Sequence, residues 1–304
     1  MSLSAKHSRL KKVLDKNVRR IIGLMSGMSM DGVDLALVEI SGTYPDLNIT
    51  LVDTFARPYD QKIKAALKAG RGGTVAEVAA LNVRVAKEFA TCVTDFLAAK
   101  NFSPKDIDAI GSHGQTIFHD VSDGNKYPAT IQLGSGGIIA ELTGILTVSN
   151  FRERDITCGG KGAPLVPLID WLLFRKPGEV RALNNLGSIS NVTVVTPELE
   201  KVIAFDTGPA NMPIDFFAAF ITGNKEGIDR DGAFSAKGNI IPEMLSAALA
   251  NPFFNKPPPK AAGYGEFGPE HLKNLSAKYA GKDAHDLLRT AVEFTAQTIA
   301  HAYL

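Results

Sequence analysis

The chain has 304 residues, 45% hydrophobic and 21% charged, which excludes wholesale disorder and suggests about two domains. Its 33 Lys and Arg against 32 Asp and Glu leave a net charge of +1, so no global field favours nucleic acid or an anionic membrane. Two cysteines, Cys92 and Cys158, make neither a disulfide scaffold nor a zinc site, and free thiols fit a reducing, cytoplasmic setting.

Residues 1–17 are basic, with Lys6, Arg9, Lys11, Lys12 and Lys16 against Asp15. Only a short apolar run at 21–25 follows, too little for the core of a secretory signal, so a solvated N-terminal arm is expected. No segment approaches the ~20 apolar residues of a bilayer span. Residues 20–25 and 33–40 are nearly continuously apolar and read as strands buried on both faces, with a third strand at 49–55. That opening is an antiparallel meander, unlike the start of a dinucleotide-binding fold. Thr74 and Glu77 have capping-box spacing, and Val75, Val78, Leu81, Val85, Phe89, Cys92 and Phe96 follow on one helix face. Cys92 on that stripe reads as a small core residue. Residues 108–112 read as a short strand ending in His113-Gly114-Gln115-Thr116.

The second half repeats this style. Strands are expected at 180–184 and 192–196 around a turn at 185–191, and another at 202–205 runs into Asp206-Thr207-Gly208-Pro209. Helical patterns follow at 212–221, 241–250 and 283–304, and Pro257-Pro258-Pro259 marks a stiff loop. The expected division is an arm at 1–17, one domain at 18–148 and a second at 149–304. The last pattern runs to the final residue, so a C-terminal continuation is expected.

The strongest chemical signal is Ser26-Gly27-Met28-Ser29-Met30-Asp31-Gly32 between two strands. Glycines let backbone approach a ligand, and successive N–H groups with serine hydroxyls can surround phosphate oxygens. Asp31 and Asp34 add carboxylates of the kind a phosphate-bound Mg²⁺ takes. A hairpin merely rich in Gly and Asp is the plain alternative. A second glycine-bearing turn, Leu186 to Asn191, favours function, because two such hairpins can grip one polyphosphate. Asp206 at a strand end is placed for a general base, or equally to cap the next helix. Arg152 and Arg154 precede Cys158-Gly159-Gly160-Lys161-Gly162; arginines there suit a carboxylate or phosphate, or are simply solvated. No P-loop, serine elbow, metal-helix or dinucleotide spacing is present.

In this order, segments 22–34, 113–119, 151–167, 184–191 and 204–215 resemble one family, the anhydro-N-acetylmuramic acid kinases of the hexokinase–actin–Hsp70 superfamily; 251–260 is similar more loosely. The resemblance implies an α/β fold of two actin-like, ribonuclease H-like sugar-kinase domains with mixed sheets and an interdomain cleft. It implies ATP and Mg²⁺, with Gly27, Met28, Ser29, Met30, Asp31, Gly32, Val33, Asp34, Gly187 and Ser188 at the phosphates, and Asp31 and Asp34 near the metal. It assigns Asp206 as the base that activates water, and His113, Gln115, Thr116, Arg152 and Asn211 to the sugar. The implied reaction opens 1,6-anhydro-N-acetylmuramic acid and phosphorylates O6, giving N-acetylmuramic acid 6-phosphate in peptidoglycan recycling. A cytoplasmic homodimer, without membrane or nucleic-acid partner, is implied too, and the adenine-side segment is expected beyond residue 304. Met28, Lys161, Ser188 and Ala210 stand where the family usually has Thr, Gln, Gly and Gly; Ala261-Ala262-Gly263-Tyr264 replaces hydroxyl residues and an Arg. Those departures leave a related sugar kinase or a silent sugar-binding pseudokinase as alternatives.

Overall fold

A computed structural model describes residues 10–27, 30–120, 126–223, 227–262 and 264–303. The chain divides into two compact units, Met1–Leu165 and Val166–Leu304. Both are mixed α/β.

The first unit is built on a six-stranded mixed sheet in the order β3-β2-β1-β4-β5, with β6 beside β4. Strands β1 (Val18–Ser26), β2 (Gly32–Thr43) and β3 (Asp46–Pro58) form the expected antiparallel meander. Then β4 (Ala109–Asp120) runs parallel to β1, followed by β5 (Ala129–Leu133) and the two-residue β6 (Thr147–Val148). The apolar side chains of β1 and β2, among them Ile22, Leu24, Leu35 and Leu37, pack against the helix Val75–Ala99 through Val85, Phe89, Cys92 and Phe96. That helix begins with the full capping box: the Thr74 side chain accepts from the Glu77 N–H, and Glu77 accepts in return. Cys92 is a buried core residue, and burial pushes its thiol up to about 12. The basic arm is not wholly solvated, since the Lys16 ammonium pairs with the buried Asp108 carboxylate.

Strand β4 corrects the sequence expectation. It does not stop at Ser112 but carries His113–Thr116 inside the sheet. The polar sequence conceals this because a β-bulge interrupts the pairing with β1: Leu24 pairs with Ser112 and Ser26 with Gln115. Gly114 lies in the bulge at φ +77°, and a Cβ there would sit 2.6 Å from the Leu133 carbonyl oxygen. A side chain is therefore excluded at this position.

The second unit has a three-stranded antiparallel sheet of β7 (Arg181–Leu186), β8 (Ile189–Val195) and β9 (Ile203–Pro209). The helices Asn211–Thr222, Pro242–Leu249 and Ala284–Tyr303 bury Phe217, Met244, Leu288 and Ala291 in one cluster. A second cluster gathers Phe253, Phe254, Phe267 and Phe294 with T-shaped ring contacts. The helix Pro269–Lys278 lies outside the helical patterns expected from the sequence; its apolar stripe is short, Leu272 and Leu275 in an otherwise polar segment.

Candidate active site

The turn between β1 and β2 is held by groups from three strands. Ser26 Oγ lies 2.7 Å from the Gly32 carbonyl oxygen and 2.6 Å from Gln115 Oε1. Gln115 Nε2 donates to the Gly27 carbonyl at 3.0 Å. The Tyr59 backbone N–H donates to the Asp31 carbonyl at 2.8 Å, and the Met30 N–H to the Gly27 carbonyl at 3.1 Å. Met30 is buried and occupies the left-handed region at φ 56°, which a non-glycine residue holds only under tertiary constraint. Gly32 permits the close passage of β3: a Cβ would lie 2.3 Å from the Arg57 carbonyl oxygen. Asp31 and Asp34 are exposed, while Val33 is core. Met28 and Ser29 lie outside the described residues.

Asp34 and His113 line one groove of about 630 Å³ across the sheet, with small residues Gly23, Ala36 and Gly111 as its floor and Phe151 at its side. His113 Nδ1 lies 3.0 Å from the Gly114 carbonyl oxygen, which can only accept, so Nδ1 carries the hydrogen. Its Nε2 then accepts from Arg152 Nε at 2.9 Å. Burial, and secondarily the Arg152 charge, hold the imidazole below its ordinary pKa, so it is kept neutral and spends its basic nitrogen on the guanidinium.

Arg152 is on the short helix Phe151–Thr157 and also donates from Nη1 to the Gly162 carbonyl at 2.7 Å. Asp155, one turn on, accepts from the Gly162 N–H at 2.7 Å. A Cβ on Gly160 would lie 2.1 Å from Asp155 Oδ2, so the glycine-rich loop is wrapped around that carboxylate. The half-buried Arg152 is thus fixed from two sides. Thr116 is also half-buried, and its hydroxyl accepts from Gln132 Nε2 at 3.2 Å.

In the second unit, the β7–β8 turn is held mainly by backbone. The Ala210 N–H donates to the Ser188 carbonyl at 3.0 Å and the Asn211 N–H to the Gly187 carbonyl at 3.0 Å. Those are donors at the start of the helix Asn211–Thr222, so the hairpin satisfies the helix N-terminus. The Asn211 amide adds a bond to the Leu186 carbonyl at 3.0 Å. Ser188 is exposed.

Asp206 sits in β9 and does not cap that helix, whose N-cap is Ala210. It lies beside a second bulge: Asn191 pairs with Asp206 but Ser190 with Gly208. The extra residue, Thr207, is buried and bonds through its hydroxyl to Ser190 Oγ at 2.7 Å. A strap runs along Asp206. Its N–H donates to the Lys260 carbonyl at 2.9 Å, and its Oδ2 accepts from the Ala262 N–H at 2.7 Å. Burial raises the carboxyl above its ordinary pKa, and the Ala262 N–H opposes that rise. A half-buried carboxylate with one donor and a raised pKa is suited to taking a proton.

Three supports escaped the sequence reading: the bracing contacts of Gln115, the Asp155 wrap and the Lys260–Ala262 strap. For the first, a glycine interrupting a strand is the available sign of a bulge.

The family model for anhydro-N-acetylmuramic acid kinase matches residues 19–304. A kinase of that description from Caldanaerobacter subterraneus subsp. tengcongensis is 40% identical, over 97% of this chain and 77% of its own length. Its counterpart from Gloeobacter violaceus is 42% identical over 93% of this chain and 75% of its own. One from Bacillus cereus is 38% identical over the same 93% and 75%.

Proposed function

The chain belongs to the anhydro-N-acetylmuramic acid kinase family, and from that premise we propose that it opens the 1,6-anhydro bond of N-acetylmuramic acid at the expense of ATP. It is a phosphotransferase with an alcohol group as acceptor. The observation that carries the residue-level reading is Asp206, a partly desolvated carboxylate that lies in the middle of β9 beside a bulge, not at a strand end as the sequence suggests, with one backbone donor.

Asp206 takes a proton from water as the water oxygen bonds to the anomeric carbon. The C1–O6 bond breaks, and O6 bonds to the γ-phosphorus as ADP leaves. The backbone around Gly27–Gly32 and Gly187–Ser188 holds the phosphates, so the work of the chain is positioning and charge stabilisation. Arg152, fixed by His113 and Gly162, is suited to the substrate's carboxylate. His113, Gln115, Thr116 and Asn211 belong to the sugar side in this reading. Asp31 and Asp34 are exposed carboxylates next to the phosphate turn. Among the described residues no three His, Cys, Asp or Glu cluster as a protein-only metal cage. That donor set fits Mg²⁺ held largely by phosphates, with one or two carboxylates. Such an ion supplies charge neutralisation on the phosphates when bound.

The two-domain actin-like architecture with an interdomain cleft, the cytoplasmic setting and the homodimer belong to the same reading and rest on family membership. Among the described residues no helix is long and apolar enough to cross a membrane. Incubation with Mg·ATP and the anhydro sugar, followed by mass spectrometry, tests the assignment. Sugar 6-phosphate carrying one water-derived oxygen at C1 is expected. ADP release with other sugars alone, or none at all, rejects it.

A further inference from the structure

The strap beside Asp206 is anchored by a side chain of its own. Lys260 gives its carbonyl to the Asp206 N–H, and two residues further on the Ala262 N–H reaches the Asp206 carboxylate. The three residues before Lys260 are prolines, which have no N–H to donate, so main-chain donors cannot tie that stretch to the fold. The Lys260 ammonium turns back instead. Its Nζ donates to the Phe254 carbonyl at 3.2 Å and to the Phe253 carbonyl at 3.4 Å, and lies 4.8 Å from the centre of the Phe253 ring. One cation closes residues 253–260 into a loop.

The foot of that loop is core. Phe253 is 1% exposed, and both rings sit in the cluster with Phe267 and Phe294. The Phe254 ring also bears on β9, since a Cβ at Gly208 would lie 2.9 Å from its Cε1. The loop therefore meets β9 on both sides of the bulged Thr207: through a ring at Gly208 and through two hydrogen bonds at Asp206. Packing fixes the ring. The hydrogen bonds depend on where residues 260–262 lie, and the ammonium links them to the buried foot. Its partners are two carbonyls and an aromatic face, so it reaches Asp206 through the main chain.

We propose that Lys260 is a positioning residue of the base: its ammonium, docked on the Phe253 and Phe254 carbonyls, holds the strap so that the Ala262 N–H stays on the Asp206 carboxylate. The proposal rests on Asp206 acting as the base. Wild type, Lys260→Met and Asp206→Asn are compared by amide hydrogen exchange without ligand and by pH profiles of kcat/KM at low and high salt. In Lys260→Met the Asp206 and Ala262 amides should exchange faster, with kcat about tenfold lower and the KM for ATP within about twofold. Losing an N–H that bonds the ionised carboxyl favours its protonated form, so the acidic limb should move to higher pH, by about half a unit or more. Unchanged exchange overturns the proposal, as does a limb shift that disappears at high salt and so reports only a lost charge. An unmoved limb, where Asp206→Asn has lost turnover, rejects Lys260 alone. Turnover retained in Asp206→Asn rejects the base reading and the proposal with it, so the two failures are separable. If Lys260→Met does not fold, Lys260→Gln, too short to reach both carbonyls, carries the same expectations.

Discussion

The turn between β1 and β2 and the turn between β7 and β8 have similar compositions but different supports. The first is shaped by a side-chain relay through Ser26 and Gln115, the second mainly by main-chain bonds from Ala210 and Asn211. A backbone clamp tolerates substitution, because every residue except proline supplies the same N–H. A side-chain relay depends on the residues that form it. Ser188 lies in the second turn, where its side chain is exposed and its main chain forms the clamp.

The region around the second turn also carries the proposed base, and this gives the largest expected effect. Asp206→Asn should lower turnover about 10²- to 10⁴-fold and leave Mg·ADP binding intact, read by ADP release and calorimetry. An active Asn variant would remove Asp206 from its role. Arg152→Ala should raise the KM for the sugar about 10- to 100-fold through loss of a charge-assisted bond, with the KM for ATP little changed. Parallel losses for both substrates would contradict the sugar-side placement. Ser26→Ala should weaken Mg·ADP about tenfold, whereas Ser188→Ala should leave it within about twofold. Equal effects at the two positions would erase the proposed difference between the turns.

The smallest effect concerns acidity. Burial raises the Asp206 carboxyl, so the acidic limb of kcat/KM should lie above the value for an exposed aspartate. Ala262→Pro deletes the N–H that opposes the rise and should move the limb to higher pH. In linkage terms the protonated form is favoured in the folded state. Its stabilising contribution is complete below the unfolded aspartate pKa and disappears as pH rises through the folded one. Asp206→Asn should therefore gain relative thermal stability at neutral pH, and the gain should shrink in acid.

Much of the first unit was legible. Continuous apolar runs gave β1 and β2, and a threefold-to-fourfold stripe with its capping box gave the helix Val75–Ala99. Strand β4 was cut short because His113-Gly114-Gln115-Thr116 has the composition of a turn; only pairing with β1 and β5 reveals it as strand. The sequence leaves Asp206 open between a base and a helix cap, and the backbone excludes the cap by starting the helix after Ala210. The strap at Lys260–Ala262 was invisible because its bonds to Asp206 use main-chain atoms, which carry no sequence signature.

The parallel pairing of β1 with β4 has a kinetic consequence. The meander of β1, β2 and β3 can close from neighbouring residues, but Gln115 arrives only after the long helix Val75–Ala99 has returned the chain to the sheet. Such distant contacts close late, because loop entropy must be overcome first. In refolding experiments the amides that join β1 to β2 should therefore gain protection from exchange before those that join β1 to β4.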